Sequence, residues 1–169
     1  DMIVRKDGVS TRIGIGTSGD KLEVSGTDIY WTSQIPVPVK GVFGGGYNPS
    51  DSVVNIMDYI TIDTTGNATD FGDLSVARKN LAGVSNATRG VFGGGGGYSN
   101  VMDYITFGTT GNATDFGDLT VGVDCLAGVS SDTRGVFGGG YDGGGYSNVM
   151  DYITIGTTGN ATDFGDLSS

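Results

Sequence analysis

Short apolar runs rich in Val, Ile, Phe, Tyr and Met recur along the chain, broken by glycine and by Thr, Asn, Ser and Asp. No stretch holds an apolar stripe at helical spacing over three turns, so the pattern predicts strands and turns throughout. In the segment 101–107, Val101, Asp103, Ile105 and Phe107 fall on one face of an extended chain and Met102, Tyr104 and Thr106 on the other. Neither face is cleanly polar, and both are expected to be covered by neighbouring sheets.

The runs belong to a repeated unit. Gly41-Val-Phe-Gly-Gly-Gly46 returns as Gly90-Val-Phe-Gly-Gly-Gly95 and Gly135-Val-Phe-Gly-Gly-Gly140, with starts 49 and then 45 residues apart. Each is followed by Met-Asp-Tyr-Ile-Thr, beginning at Met57, Met102 and Met150, and then by Thr-Thr-Gly-Asn-Ala-Thr-Asp-Phe-Gly-Asp-Leu, ending at Leu74, Leu119 and Leu167. A period of this length filled with short strands is that of a four-stranded β-propeller blade. The expected strands are Leu-Ala-Gly-Val-Ser, Arg-Gly-Val-Phe-Gly-Gly, Val-Met-Asp-Tyr-Ile-Thr-Ile and Ala-Thr-Asp-Phe-Gly-Asp-Leu-Ser-Val. Gly and Asn supply the positive φ of the turns between them, and the glycine runs suit inner strands crowded around an axis.

From Lys40 onward the units resemble kelch-like blades, which carry a glycine doublet ending the second strand, an apolar-Asp-Tyr third strand and a basic residue upstream. The usual fourth-strand Trp is absent, and Phe71, Phe116 and Phe164 stand at about its place. The wording of the repeats also resembles that of structural proteins of marine, particularly cyanobacterial, bacteriophages. The resemblance implies an all-β fold of about three kelch-like blades, 40–88, 89–133 and 134–169, preceded by an N-terminal β attachment segment, 1–39. In that segment, Ile13-Gly-Ile-Gly-Thr-Ser-Gly-Asp-Lys-Leu-Glu-Val-Ser-Gly-Thr-Asp-Ile-Tyr-Trp31 is similar to a short module of phage tail-fibre and other virion proteins. Lys21 to Val24 and Ile29 to Trp31 read as two brief strands around Ser25-Gly26. Pro36 and Pro38 confine Gln34 to Val39 to an edge or linker.

Three blades do not close a propeller, which needs about four to eight. The first lacks its opening strand, for which Tyr30 to Val39 is the best internal candidate. The expected assembly is a homo-oligomer: a six-bladed ring of two chains, or three chains about a threefold axis. Alternatively, a longer parent chain supplies the missing blades. The chain opens at Asp1 without Met and stops at Ser169 inside a repeat, so it reads as a processed chain or as a piece of a longer one.

Composition narrows the chemistry. Glycine makes up 33 of 169 residues, well above the usual roughly 7%. Histidine is absent, which removes the usual general base and the commonest transition-metal ligand. The net charge of -10 falls entirely after residue 40, where fourteen aspartates face Arg78, Lys79, Arg89 and Arg134. Such a surface disfavours nucleic acid and anionic membranes, and no apolar run approaches the ~20 residues that span a bilayer. Cys125 is the only cysteine; beside Asp124 it reads as a buried small apolar residue rather than a reactive thiol.

Candidate residues follow from what recurs and what varies. The carboxylate pairs Asp70 and Asp73, Asp115 and Asp118, and Asp163 and Asp166 read either as calcium or glycoside-cleaving acids or as structural turn aspartates; their presence in every unit favours structure. Asp58, Asp103 and Asp151 are expected to form inter-blade ion pairs with Lys40, Arg89 or Arg134. The Asn-Ala-Thr triplets at Asn67, Asn86, Asn112 and Asn160 read as turns. The inserts after the glycine runs differ between units, and Tyr47, Asn48, Tyr98, Ser99, Tyr141, Asp142 and Tyr146 there suit carbohydrate or surface contact. The expected function is non-catalytic: a tail-fibre, appendage or adhesin subunit of a virion, partnered by copies of itself and other virion proteins and needing no cofactor. A lectin-like propeller for host-surface carbohydrate and a capsid decoration protein are the alternatives.

Overall fold

The computed structural model describes residues 2–6, 9–13, 21–25, 28–32 and 39–168. All regular structure among them is β-strand. Two units separate, Asp1–Val39 and Lys40–Ser169.

The first unit contains two antiparallel hairpins, β1 (Met2–Lys6) with β2 (Val9–Ile13) and β3 (Lys21–Ser25) with β4 (Asp28–Thr32). Only the second was expected. Of the segment considered for an opening strand, Tyr30 to Thr32 pair with β3, 33–38 lie outside the described residues, and Val39 is in no strand.

The second unit holds three antiparallel sheets. The first has three strands, β5 (Lys40–Gly44), β6 (Ile56–Thr61) and β7 (Thr69–Asp73). The second has four in sequence order, β8 (Ala82–Ser85), β9 (Arg89–Gly93), β10 (Val101–Thr106) and β11 (Thr114–Asp118). The third repeats it with β12 (Ala127–Ser130), β13 (Arg134–Gly138), β14 (Val149–Thr154) and β15 (Thr162–Asp166). The fourth strand is shorter than its apolar content suggests, because it ends before Leu74, Leu119 and Leu167. Each of these leucines closes a turn onto the residue before the third strand, as Leu119 N–H does on the Asn100 carbonyl (2.8 Å).

Each fourth strand carries a bulge where the register slips, between Met57 and Asp58, Met102 and Asp103, and Met150 and Asp151. It leaves Phe71, Phe116 and Phe164 without ladder partners. The following glycine is at positive φ, +138° at Gly72 and +135° at Gly117, a conformation that a side chain would strain.

Two apolar layers lie between the sheets. Met57, Phe71 and Leu74 of the first sheet meet Phe92 and Ile105 of the second. Met102, Phe116 and Leu119 of the second meet Phe137, Ile153 and Ile155 of the third. The middle sheet is therefore covered on both faces, as its mixed alternation requires: Met102 and Asp103, adjacent in sequence and opposite in direction, are both 0% exposed.

Candidate functional site

The most elaborate polar structure lies where the linker after β7 passes under the second sheet. Arg78, 1% exposed, donates from one terminal nitrogen to the Gly94 and Val101 carbonyls (2.8 and 2.6 Å) and from the other to Asp103 Oδ2 (2.6 Å). Ser75 Oγ–H donates to the other oxygen of Asp103 (2.5 Å). Burial pulls the Arg78 pKa below its ordinary value, against the opposing pull of Asp103. The Arg78 Nε finds no partner among the described residues.

The next linker solves the same problem differently. Thr120 stands where Ser75 does and gives both its N–H and its hydroxyl to Asp151 (2.8 and 2.7 Å). Val123, standing where Arg78 does, joins the apolar layer. Both aspartates are thus saturated by the linker that precedes their sheet. Asp58 is half-buried, and the segment before its sheet, 33–38, lies outside the described residues.

The expected partners of these aspartates sit elsewhere. Lys40, Arg89 and Arg134 lie over the rings of Tyr59, Tyr104 and Tyr152, at 4.9, 4.2 and 4.4 Å from the centroids. Each of those tyrosines meets the fourth-strand Phe edge-on at about 6 Å. Two of the bases do cross to the next sheet, but onto backbone: Lys40 Nζ donates to the Phe107 carbonyl and Arg89 to the Ile155 carbonyl, both at 3.1 Å. Among the described residues, Arg78–Asp103 is the one ion pair within 4 Å.

The paired aspartates on β7, β11 and β15 contribute mainly through their backbone. Gly111 N–H donates to the Phe71 carbonyl (2.7 Å) and Ala113 N–H to the Asp73 carbonyl (2.8 Å). Asp73 N–H donates in turn to Asn112 Oδ1 (3.1 Å). Gly159, Ala161 and Asn160 repeat the set on Phe116 and Asp118 at 2.7, 2.8 and 3.1 Å. The Thr-Thr-Gly-Asn-Ala turn of one sheet therefore covers the outer edge of the sheet before it. Asp70, Asp115 and Asp163 point to solvent, with Asp163 accepting from Gly165 N–H (3.1 Å). No three carboxylates or thiols among the described residues converge as a metal site would require.

The inserts divide into braces and exposed rings. Asn48 Oδ1 accepts from Ser50 and Ser52 N–H (3.0 Å each), Ser99 Oγ from Val101 N–H (3.2 Å), and Asp142 Oδ1 from Gly144 and Gly145 N–H (2.8 and 2.9 Å). These last two bonds hold the Asp142 carboxyl below its usual pKa. Tyr47 is paired with Lys79, whose Nζ donates to its hydroxyl. Tyr98, Tyr141 and Tyr146 come together, with centroids 5.8 and 5.7 Å apart along the series, and the Tyr146 ring is 95% exposed.

Cys125 lies beside this group, exposed rather than buried, in a left-handed turn at φ +56°. The turn that brings Asp124 into a bridge with Tyr141 directs it outward. Partial desolvation and the neighbouring Asp124 raise its pKa, so it is a poor nucleophile at neutral pH.

Sequence reasoning missed Arg78. The available signal was the departure from the repeat itself, a charge at 78 where the next unit has an apolar residue at 123. No protein-family model and no curated protein matches the chain.

Proposed function

We propose that the chain is a non-catalytic structural component of a bacteriophage virion, a tail-fibre, appendage or adhesin subunit whose kelch-like repeats stack as propeller blades into a rigid oligomer. The observation that supports it most directly is the duplication of the junction. The same turn, the same fourth-strand edge and the same Phe-on-Gly contact join the first sheet to the second and the second to the third. The buried carboxylates are consumed in holding linkers, and the remaining paired acids recur identically in every sheet. A scaffold repeats its contacts; a catalytic centre requires an arrangement unlike its neighbours.

The genes flanking the coding sequence test the virion assignment. Portal, baseplate, tail or capsid genes are expected there, and an unrelated metabolic neighbourhood would sink it.

A second reading, carbohydrate recognition, is favoured by Tyr98, Tyr141 and Tyr146, because exposed aromatic faces cover the C–H patches of sugars. A glycan array probed with the whole chain separates the two. Binding lost on Tyr146→Ala supports the lectin, and silence at millimolar sugar supports the purely structural role.

A further inference from the structure

The two junctions inside the chain obey one rule, and its two halves each occur once more without a partner among the described residues. On the side facing the next sheet, the rule uses a base on the second strand, a glycine that seats an aromatic ring, and the carbonyls of the fourth-strand Phe and Asp. On the side facing the previous sheet, it uses the ring itself, the Gly-Asn-Ala turn, and the carbonyl just after the third strand. Phe92 lies on Gly44 and Phe137 on Gly93, at ring-to-Cβ distances of 3.4 and 3.0 Å if those glycines carried a side chain.

The third sheet presents the first half uncovered. Phe164 is 48% exposed and Leu167 46%, where their counterparts Phe71, Phe116, Leu74 and Leu119 are at most 4% exposed. Gly165 shows the same vacancy: a Cβ on Gly72 or Gly117 would strike the backbone of the following turn, but one on Gly165 meets nothing within 4 Å. The first sheet presents the second half uncovered. Phe43 is 63% exposed against 9% for Phe92 and 2% for Phe137, and Ile62 is 58% exposed where Ile155 is 0%.

We infer that a second copy of this chain docks head to tail, its first sheet on the third sheet of the first copy, by repeating the internal junction. The inference rests on the reading that these sheets are built to stack. Its choice of partner rests on sequence: the turn that covers Phe116 is Thr157-Thr-Gly-Asn-Ala161, and the same five residues stand unused at Thr64–Ala68. Across the new junction, Gly66 N–H donates to the Phe164 carbonyl and Ala68 N–H to that of Asp166. Asp166 N–H donates to Asn67 Oδ1, Arg134 reaches the Ile62 carbonyl, and Phe43 seats on Gly138. The two surfaces differ, so the contact is heterologous. Copies add until a rotation closes a ring, or extend as a filament.

Sedimentation equilibrium of the full chain from micromolar to near-millimolar concentration reads the association, and two variants locate it. Phe43→Asp blocks one surface and Leu167→Asp the other; both positions are exposed, so each variant should keep the wild-type circular dichroism and melting temperature. The wild-type chain is expected to gain mass with concentration. Each variant alone should associate at least about 100-fold more weakly, because an unpaired carboxylate is forced into an apolar contact. An equimolar mixture of the two should restore a one-to-one complex and nothing larger, since each retains the surface the other has lost. A wild-type chain that stays monomeric throughout removes both the oligomer in the proposed function and this interface. Association that both variants leave unchanged, or a mixture that forms no complex, overturns the interface and leaves stacking by another surface standing.

Discussion

Arg78 and Val123 occupy the same place in successive repeats, and the exchange changes how the adjoining sheet is held. Arg78 serves two strand carbonyls and a buried carboxylate; Val123 fills the apolar layer while Thr120 alone serves Asp151. A buried ion pair adds little over an apolar substitute of similar shape, but removing one partner strands the other charge. Arg78→Leu should therefore lower stability by about 3–5 kcal/mol in urea denaturation, the range for an orphaned buried charge. A loss under about 1 kcal/mol, the level of an exposed pair, would show that water reaches Asp103. The pairing expected from sequence, with Lys40, Arg89 or Arg134, fails for a reason of register, since each base stands at the end of its strand, opposite Thr61, Thr106 or Thr154. Arg89 lies opposite Thr106 at one end of its strand, whereas Asp103 lies opposite Phe92 on the other face. Asp151 does share the interface that Arg89 faces, but it pairs with Phe137, three residues along from the Arg89-equivalent Arg134, or roughly 10 Å at strand rise. A one-dimensional reading identifies charges that repeat together; which face and which end they occupy emerges only once strands are paired.

At the scale of the strand and its turn, the fourth strand is the device that makes the sheets stack. The bulge frees the Phe carbonyl from its own ladder, and the positive-φ glycine after it lets the next turn approach the backbone. Gly117 and Gly165 have nearly the same φ, +135° and +128°, so an alanine at either carries a similar backbone penalty. They differ in surroundings: a Cβ at 117 would come within 2.5 Å of the Gly159 carbonyl oxygen, and one at 165 would meet nothing. In the dilute, unassociated chain, Gly117→Ala should cost about 1–3 kcal/mol more than Gly165→Ala, the usual penalty of overpacking, and the difference in their melting curves there measures the internal junction alone. Equal losses would mean that the turn yields freely. The second and third strands were legible to within a residue, because a glycine run and an apolar-Asp-Tyr segment bound them. The bulge was not, since an unpaired residue leaves no mark on alternation until its partner strand is known. Nor was the first hairpin of the N-terminal unit, whose Met2–Lys6 and Val9–Ile13 strands repeat nothing else in the chain.

For the whole molecule, charge and junction chemistry oppose one another over different distances. From Lys40 on, fourteen aspartates face five bases, and Arg78 with Asp103 is buried, so two copies approaching each other meet like charge at long range. The junction that would hold them is short-range and almost uncharged, made of Phe43, Leu167, backbone amides and one arginine on a carbonyl. Salt screens the first and barely touches the second: the Debye length falls from about 10 Å at 0.1 M to about 3 Å at 1 M. Self-association should therefore tighten several-fold as sodium chloride is raised across that range, a slope opposite to that of copies held by ion pairs. Chloride is the appropriate anion, because sulfate would strengthen apolar burial by exclusion and blur the cause. Sedimentation equilibrium across a chloride series decides the sign. A dissociation constant that rises with salt would place charged groups at the contact and remove Phe43 and the Gly66 turn from its centre.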